Sequence, residues 1–308
     1  QSGNEEDAHM VAKAVVSVFN EAESAPVIDL MYNKKNDDNY YESVLDYCAI
    51  GNLQAVLDEY LYMAPENKKL GQVVTDAIIG TSNLSIDTTD SLGKEEKKQL
   101  MRCHFAIPFI DKTVTDKSVT RTTNIRKAFN SPFRPFLLST TSIGQEGLDF
   151  HWYARTIVHG NLPSNPVDLE QREGRINRFK CLAIRRNVVK LYASETYHTW
   201  DELFSMAYSN LKGMHSDIVP YWCLPVAELT EERRAKLQHI ERIVPLYPLS
   251  RDRYKYERLI KVLALYRMTL GQPRQEELLS LLRNMHLSDE QLKELTIDLC
   301  PYKKIESL

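Results

Sequence analysis

Apolar residues recur at helical spacing through the first 70 residues of the chain. From residue 8 onward they repeat every four positions, as in Met10-Val11, Ala14-Val15 and Val18-Phe19, and a second such stretch runs from Tyr41 to Tyr62. Gly51-Asn52 divides that stretch into two predicted helices, with Asn52 as the N-cap of the later one. Residues 80–98, rich in Ser, Thr, Asp and Lys, form a predicted polar linker or exposed loop. We therefore predict a helical insertion or extension with a polar linker over residues 1–95.

The pattern changes near residue 100, where short apolar runs alternate with helix-like segments. His104–Phe109, Phe136–Ser139 and Thr156–His159 are predicted strands, and Asn124–Phe129 and Leu169–Arg178 are predicted helices. Short buried strands alternating with helices indicate an α/β fold, with a parallel sheet covered by helices on both faces. We assign this fold to residues 96–215.

Beyond residue 216 the periodicity becomes helical again. Glu228–Ile243 is charged and amphipathic, and Arg253–Leu270 carries an apolar face that Gly271 closes. Pro273 opens a further predicted helix, and Ser288 is the predicted cap of a last one. Residues 216–308 are therefore predicted to be a C-terminal helical region.

Composition limits the classes of function. With 43% hydrophobic and 26% charged residues the chain is typical of globular proteins, and no apolar run approaches the roughly 18 residues that span a bilayer. A cytoplasmic location without a membrane partner is the default expectation. Five scattered cysteines without a C-x-x-C pair, and histidines without ligand spacing, argue against a disulfide framework and against a metal site. Because the net charge is −3, any nucleic acid must be bound by a local patch or by backbone amides.

The first candidate motif follows the apolar run that begins at Phe136. It contains the hydroxyl residues Thr140, Thr141 and Ser142, then Gly147 and Asp149. Ligands bind at the carboxyl edge of α/β sheets, and small hydroxyl side chains with free N–H groups bind phosphate oxygens there. A simple turn is the alternative explanation for such residues.

The second candidate motif lies on the predicted helix that ends at Arg178. Arg175 and Arg178 are three residues apart and would project from one helical face, with Gln171 a further turn back. Two neighbouring guanidinium groups suit the charge that spreads over a transferring phosphoryl group. Gly174 would let another backbone approach this face closely. A solvated face of ion-paired arginines and glutamates is the alternative.

Together the two elements are far more specific than either alone. The pattern T-x-x-x-x-E-G-L-D, followed about twenty residues later by Q-R-x-G-R-x-x-R, resembles motifs V and VI of superfamily 2 helicases. The resemblance is closest to the branch whose motif VI begins with Gln-Arg, and it is similar to large prokaryotic Snf2-related proteins. It implies that the α/β region is the second RecA-like domain of a helicase or translocase.

The resemblance implies nucleotide-facing roles for several residues. Arg175 and Arg178 match the motif VI arginines that reach the γ-phosphate of ATP bound on the partner domain. Gln171 matches the residue that leads motif VI and helps couple the two domains. Gly147 and Asp149 match motif V positions near the nucleotide, and Gly174 is assigned to the same side of the site.

The resemblance also implies contacts with nucleic acid. Thr141 or its neighbour Thr140 matches a threonine that touches the nucleic-acid backbone, and Ser142 is included with them. Three basic clusters are further candidates for a nucleic-acid groove: Arg126-Lys127, Arg178 to Lys180, and Arg185-Arg186. Arg172 is expected to make a structural ion pair rather than a phosphate contact.

Some motifs of a complete ATPase are missing from the sequence. There is no G-x-x-x-x-G-K-[ST], and we identify no D-E-x-x box that would supply a Mg²⁺ ligand. ATP and Mg²⁺ are thus expected to be held mainly by an N-terminal RecA-like domain, and the chain is expected to be inactive alone. The leading hypothesis is half of a motor acting on DNA. RNA as the track, or a non-catalytic protein-interaction module, are the alternatives.

Overall fold

A computed structural model describes the chain in two compact units, Gln1–Tyr153 and Ala154–Leu308. The described residues are 5–21, 24–32, 40–64, 69–78, 82–86, 99–103, 126–133, 137–140, 149–193, 199–211, 217–225, 229–269, 273–285, 288, 290–291 and 294. No helix among them is long and apolar enough to cross a membrane.

The first unit is mainly helical. Its helices are α1 (Glu5–Phe19), α2 (Ala25–Tyr32), α3 (Tyr40–Ala49), α4 (Asn52–Met63) and α5 (Leu70–Ala77). Strands β1 (Ser82–Ile86) and β2 (Gln99–Cys103) pair antiparallel. The prediction of a polar linker over residues 80–98 was therefore wrong for β1, because pairing with β2 satisfies its backbone groups whatever its polar composition.

The break between α3 and α4 lies at the predicted residues, but it is made differently. Gly51 adopts a left-handed conformation with φ 90°, which glycine reaches without steric cost. Gly51 is also the N-cap position of α4, with no side-chain cap, and Asn52 is the first helical residue. The prediction of Asn52 as the N-cap was wrong by one position, since a glycine that ends one helix also begins the next.

An aromatic contact organises the core of the first unit. The Tyr60 ring on α4 meets the Phe133 ring edge-on at 5.9 Å between centroids and lies 6.3 Å from the Trp152 ring. Val74 and Ala77 of α5 are fully buried in the same cluster. Edge-to-face aromatic pairs add roughly 0.5–1.5 kcal/mol beyond their buried area. The prediction of helices over residues 8–70 is confirmed by α1 to α4, and α4 contributes Leu57 and Tyr60 to this core.

The second unit combines a short parallel sheet with helices. It contains β3 (Thr156–Val158), α6 (Pro166–Glu173), α7 (Leu182–Tyr192), α8 (Trp200–Asn210), α9 (Glu231–Ala235), β4 (Glu241–Ile243), α10 (Asp252–Met268) and α11 (Gln275–Asn284). Strand β3 pairs parallel with β4, with Thr156 opposite Glu241 and Val158 opposite Ile243. The described residues form a mixed helical fold with a small parallel sheet, which is consistent with the predicted RecA-like class.

The strand predictions have mixed outcomes. The strand at Thr156–His159 is confirmed as β3. Residues 137–140 carry no regular secondary structure, and Leu137 is 81% exposed, so this segment is no buried strand. The predicted strand His104–Phe109 lies outside the described residues. The predicted helix Glu228–Ile243 was wrong at its end, because β4 pairs with β3 and tertiary pairing overrides local propensity.

The first part of helix α7, from Leu182 to Arg185, is buried. Arg185 is fully buried and its Nη1 donates to the carbonyl oxygen of Lys180 at 2.8 Å. A buried, hydrogen-bonded arginine cannot line a nucleic-acid groove, so that assignment of Arg185 was wrong. In the first unit, Lys127 Nζ lies 2.9 Å from Asp76 Oδ2, which gives this basic residue a structural partner.

The helices predicted at the C-terminal end are largely confirmed. Helix α10 covers most of the predicted Arg253–Leu270, with Leu259 and Leu263 buried as expected. The Ser288 hydroxyl accepts a hydrogen bond from the Gln291 N–H at 3.2 Å, and the Gln291 side chain accepts one from the Ser288 N–H at 2.9 Å. This reciprocal pattern is a capping box, as the cap at Ser288 predicted. The domain boundaries near residues 95 and 215 stay predictions.

Gly71 offers a direct test of packing in the first unit. Its N–H donates to Asp7 Oδ1 at 2.9 Å, and an added Cβ would lie 3.1 Å from both the Asp7 carbonyl oxygen and Met10 Cβ. Alanine normally stabilises a helix relative to glycine by roughly 1 kcal/mol. Here we expect Gly71→Ala to lower the free energy of unfolding by about 1–3 kcal/mol in urea denaturation, because the clash separates α1 from α5.

Gly160→Ala is the matched control, since a Cβ there would meet nothing within 4 Å. A Gly71→Ala variant as stable as the control would contradict the close packing of α1 and α5.

Candidate functional site

Helix α6 carries the second candidate motif and has a well-defined start. Asn165 is its N-cap, with Oδ1 accepting from the Val167 N–H at 3.0 Å, and Pro166 occupies the first turn where a missing N–H has no cost. Leu169 is fully buried and fixes the inner face of the helix. The sequence thus determines where α6 begins and which face of the helix is buried.

The helix ends before the two arginines. It stops at Glu173, and residues 174–178 form what we call the arginine turn. In this turn the Glu173 carbonyl oxygen accepts from the N–H groups of Ile176 and Asn177, both at 3.1 Å. The prediction of a helix through Arg178 was wrong, because these hydrogen bonds close tight turns and the buried side chain of Ile176 anchors them.

The two arginines of this turn have different surroundings. Arg178 Nε donates to the Gly174 carbonyl oxygen at 2.9 Å, so its side chain folds back along the turn. Arg175 is half-buried, and its Nε is buried with no hydrogen-bond acceptor among the described residues. A buried donor without an acceptor costs roughly 1–3 kcal/mol. Such a donor suits a ligand that brings its own acceptor oxygen.

The other residues of the predicted motif VI stay close to this turn. Gln171 is exposed on α6. Gly174 has φ −60° and ψ −11°, and an added Cβ would lie 3.3 Å from the Glu170 carbonyl oxygen. The atoms closest to Gly174 therefore belong to α6 itself. The sequence predicts a second backbone segment at this position instead. Arg172 Nη1 donates to the Asn161 carbonyl oxygen at 2.9 Å, a structural contact.

A charged network surrounds the end of α6. Glu173 Oε1 lies 3.3 Å from His159 Nε2, and Glu173 Oε2 accepts from Arg242 Nη2 at 2.7 Å, while Arg242 Nε also donates to Oε1. Burial, the largest single effect, raises the pKa of Glu173, but the hydrogen bonds from His159 and Arg242 outweigh it and lower the pKa to about 2. The hydrogen bond to Glu173 in turn raises the pKa of Arg242. Glu173 is therefore an ionised and tightly held carboxylate.

Two residues of the first motif, Thr140 and Asp149, are described by the structure and belong to the first unit. The arginine turn belongs to the second unit. Asp149 Oδ2 lies 3.7 Å from Arg126 Nη2, and the Asp149 carbonyl oxygen accepts from Asn130 Nδ2 at 2.5 Å. Thr140 is exposed. The predicted contacts at Thr141, Ser142 and Gly147 lie outside the described residues.

Sequence reasoning missed Glu173, Arg242 and a similar pair, Glu170 with Arg267. The sequence shows no ligand spacing at His159, which is buried at 2% exposure. Arg242 and Arg267 lie 69 and 97 residues from their partners, so no local pattern could have paired them. The one signal in the sequence was the spacing of Glu170 and Glu173, which places two carboxylates on the same face of α6 and indicates cationic partners for that face.

A comparison with known protein families matches one segment of the chain. Residues 75–180 match the family described as the helicase conserved C-terminal domain, and the match includes both candidate motifs. This segment, about a third of the chain, is therefore similar to helicase C-terminal domains. Neither the curated proteins nor the solved structures gave a match.

The residues present were also tested against the expected cofactors. The unpartnered Nε of Arg175 fits an anionic ligand such as a nucleotide phosphate. Among the described residues no group of three His, Cys, Asp or Glu side chains could hold a metal ion. The Asp-Glu pairs at Asp58 and Asp201 lie within α4 and at the start of α8 rather than at the end of a strand.

The low pKa of Glu173 predicts a pH-dependent stability. Because its folded-state pKa of about 2 lies below the ordinary 4.5, the ionised carboxylate adds stability above about pH 4.5, and this is lost as the pH falls toward 2. Glu173→Gln lacks this contribution. We expect the variant to be less stable than wild type by on the order of 2–4 kcal/mol at about pH 7, with a smaller difference at about pH 3, in chemical denaturation.

Glu257→Gln is the matched control, because Glu257 is exposed and its ion pair within the described part of the chain is with the exposed Arg253 on α10. We expect little pH-dependent difference there. If Glu173→Gln were as stable as wild type at every pH, this would contradict the stabilising role of the ionised Glu173 carboxylate.

Proposed function

We propose that this chain supplies the second RecA-like half of an ATP-dependent nucleic-acid helicase or translocase. The observation that carries the proposal is the buried, unpartnered Nε of Arg175, on a turn inside the segment that matches helicase C-terminal domains. A buried donor without an acceptor among the described residues can bind an acceptor oxygen of a ligand. ATP, bound with Mg²⁺ on an N-terminal RecA-like domain, would supply the phosphoryl group that is transferred to water.

In this mechanism the arginine turn acts when the two domains close. Arg175 donates N–H groups to the γ-phosphate oxygens, where charge spreads during phosphoryl transfer, and arginine fingers of this kind contribute roughly 10³- to 10⁵-fold in rate. Arg178, already bonded to the Gly174 carbonyl oxygen, supports the turn and adds positive charge. Gln171 is exposed on α6, and its proposed role is to contact the partner domain. Domain closure excludes water and reopening permits a step along the strand.

The track that we propose is DNA, with the phosphate backbone contacted by Thr140, Thr141 and Ser142. The support is the likeness of the two motifs to prokaryotic Snf2-related proteins, and RNA is the alternative. Backbone contacts position a protein without reading sequence, so the motor would act on many sequences. Gly147 and Asp149 are proposed to lie at the nucleotide, as is Gly174.

Arg175→Ala in the native protein that contains this chain tests the proposal. We expect nucleic-acid-stimulated ATP hydrolysis to fall by about 10³-fold, because the γ-phosphate charge is no longer neutralised, while ATP binding stays nearly unchanged. Single-stranded DNA, duplex DNA and RNA are compared as stimulators in steady-state assays. Arg253→Ala is the control, since Arg253 is exposed on α10 and pairs with the exposed Glu257. Normal turnover in Arg175→Ala would remove Arg175 from this role.

A second test concerns the chain alone. Because its sequence contains no phosphate-cradling G-x-x-x-x-G-K-[ST], we expect the 308-residue chain to hydrolyse no ATP above a protein-free blank. Addition of nucleic acid should not change that result. Turnover that persists after repeated purification and disappears in Arg175→Ala would show that the chain holds a complete ATPase site.

A further inference from the structure

Helix α6 presents two carboxylates to the C-terminal part of the second unit. Glu170 and Glu173 are three residues apart and so lie on one helical face. Arg267 of α10 donates to Glu170 Oε1 through Nε at 3.1 Å and through Nη2. Arg242 of β4 binds both carboxylate oxygens of Glu173, with Nη2 at 2.7 Å from Oε2. Two arginines that are distant in sequence therefore hold one face of α6.

These contacts differ from ordinary surface ion pairs. The Arg242 and Glu173 side chains are 30% and 20% exposed, whereas those of Arg253 and Glu257 are 82% and 57% exposed. Arg242 is further fixed by Nη1, which lies 3.3 Å from the Tyr256 hydroxyl of α10. Exposed pairs contribute little to stability, but shielded bidentate pairs are stronger and geometrically specific.

Glu173 connects this pairing to the arginine turn. Its side chain is held by Arg242, while its own carbonyl oxygen accepts the N–H groups of Ile176 and Asn177. The preceding carbonyl, of Arg172, accepts the Arg175 N–H at 3.2 Å. Any displacement of Glu173 therefore moves the backbone hydrogen bonds on both sides of Arg175.

We propose that Arg242 and Arg267 form a two-arginine clamp, a pair of positioning residues that hold α6 and the arginine turn in the geometry Arg175 needs. Both residues lie beyond residue 180, where the match to the helicase C-terminal domain ends. The C-terminal segment is thus part of the working site rather than a separate appendage. The proposal rests on the proposed function of Arg175, but its structural half is measurable without any ATPase.

Hydrogen exchange in the 308-residue chain tests the structural half. We expect Arg242→Gln, and to a smaller degree Arg267→Gln, to accelerate exchange of the Ile176 and Asn177 N–H groups by roughly tenfold, because the turn opens more often. Glu241→Gln is the matched control, since it weakens the neighbouring pair between Glu241 of β4 and Arg155, which precedes β3, and leaves the α6 contacts unchanged. Exchange that stays at the wild-type rate in both clamp variants would overturn the clamp.

A double-mutant cycle in the native protein tests the functional half. We expect Arg242→Gln to lower kcat for ATP hydrolysis by roughly 10- to 100-fold with little change in KM, and Arg242→Lys to restore part of the loss. In an Arg175→Ala background, Arg242→Gln should add nothing, because both changes act through the same group.

The outcomes separate the two proposals. Normal turnover in Arg175→Ala overturns the proposed function, and the exchange rates then decide the clamp alone. An inactive Arg175→Ala with fully active Arg242→Gln and Arg267→Gln overturns the clamp and leaves the function of Arg175 standing. An equal loss in the Glu241→Gln control would attribute the effect to general strand stability and also overturn the clamp.

Discussion

The site depends on one held carboxylate, that of Glu173. It ends α6, receives hydrogen bonds from His159 and Arg242, and carries the carbonyl oxygen that closes the arginine turn. A carboxylate that is shielded from water and paired on both oxygens has one favoured position. The arginine turn follows Glu173 directly and is hydrogen-bonded to its carbonyl oxygen, so its position depends on that of Glu173. In the proposed site, the position of Arg175 therefore depends on a residue whose carboxylate is held by His159 and Arg242.

The parallel pairing of β3 with β4 brings the partners of Glu173 together. His159 directly follows β3, and Arg242 is the central residue of β4. The His159 N–H donates to the Ile243 carbonyl oxygen at 2.9 Å, which fixes the register between the two strands. A shift of one residue would turn Arg242 to the other face of the sheet and separate it from Glu173. The short sheet is thus the element that joins the C-terminal segment to the motif.

Much of the class could be predicted from sequence, because two motifs at fixed spacing carry it. The periodicity of residues 8–70 and of Arg253–Leu270 also predicted helices, which the structure contains as α1 to α4 and α10. Other features depend on contacts between distant residues. The early end of α6, strand β4, the burial of Arg185 and the pairing of Glu173 with Arg242 all follow from tertiary packing. The position of Asn52 failed by a single residue, since cap geometry is decided by backbone conformation rather than by composition.

The central claim is that Arg175 reaches across a cleft to a phosphate that another domain holds. The most direct measurement is a structure of the native protein with nucleic acid, ADP and aluminium fluoride, which imitates the transferring phosphoryl group. We predict the Arg175 guanidinium at about 3 Å from a fluoride, with the contact between Glu173 and Arg242 intact. A closed complex in which Arg175 points to solvent, away from the nucleotide, would contradict the account.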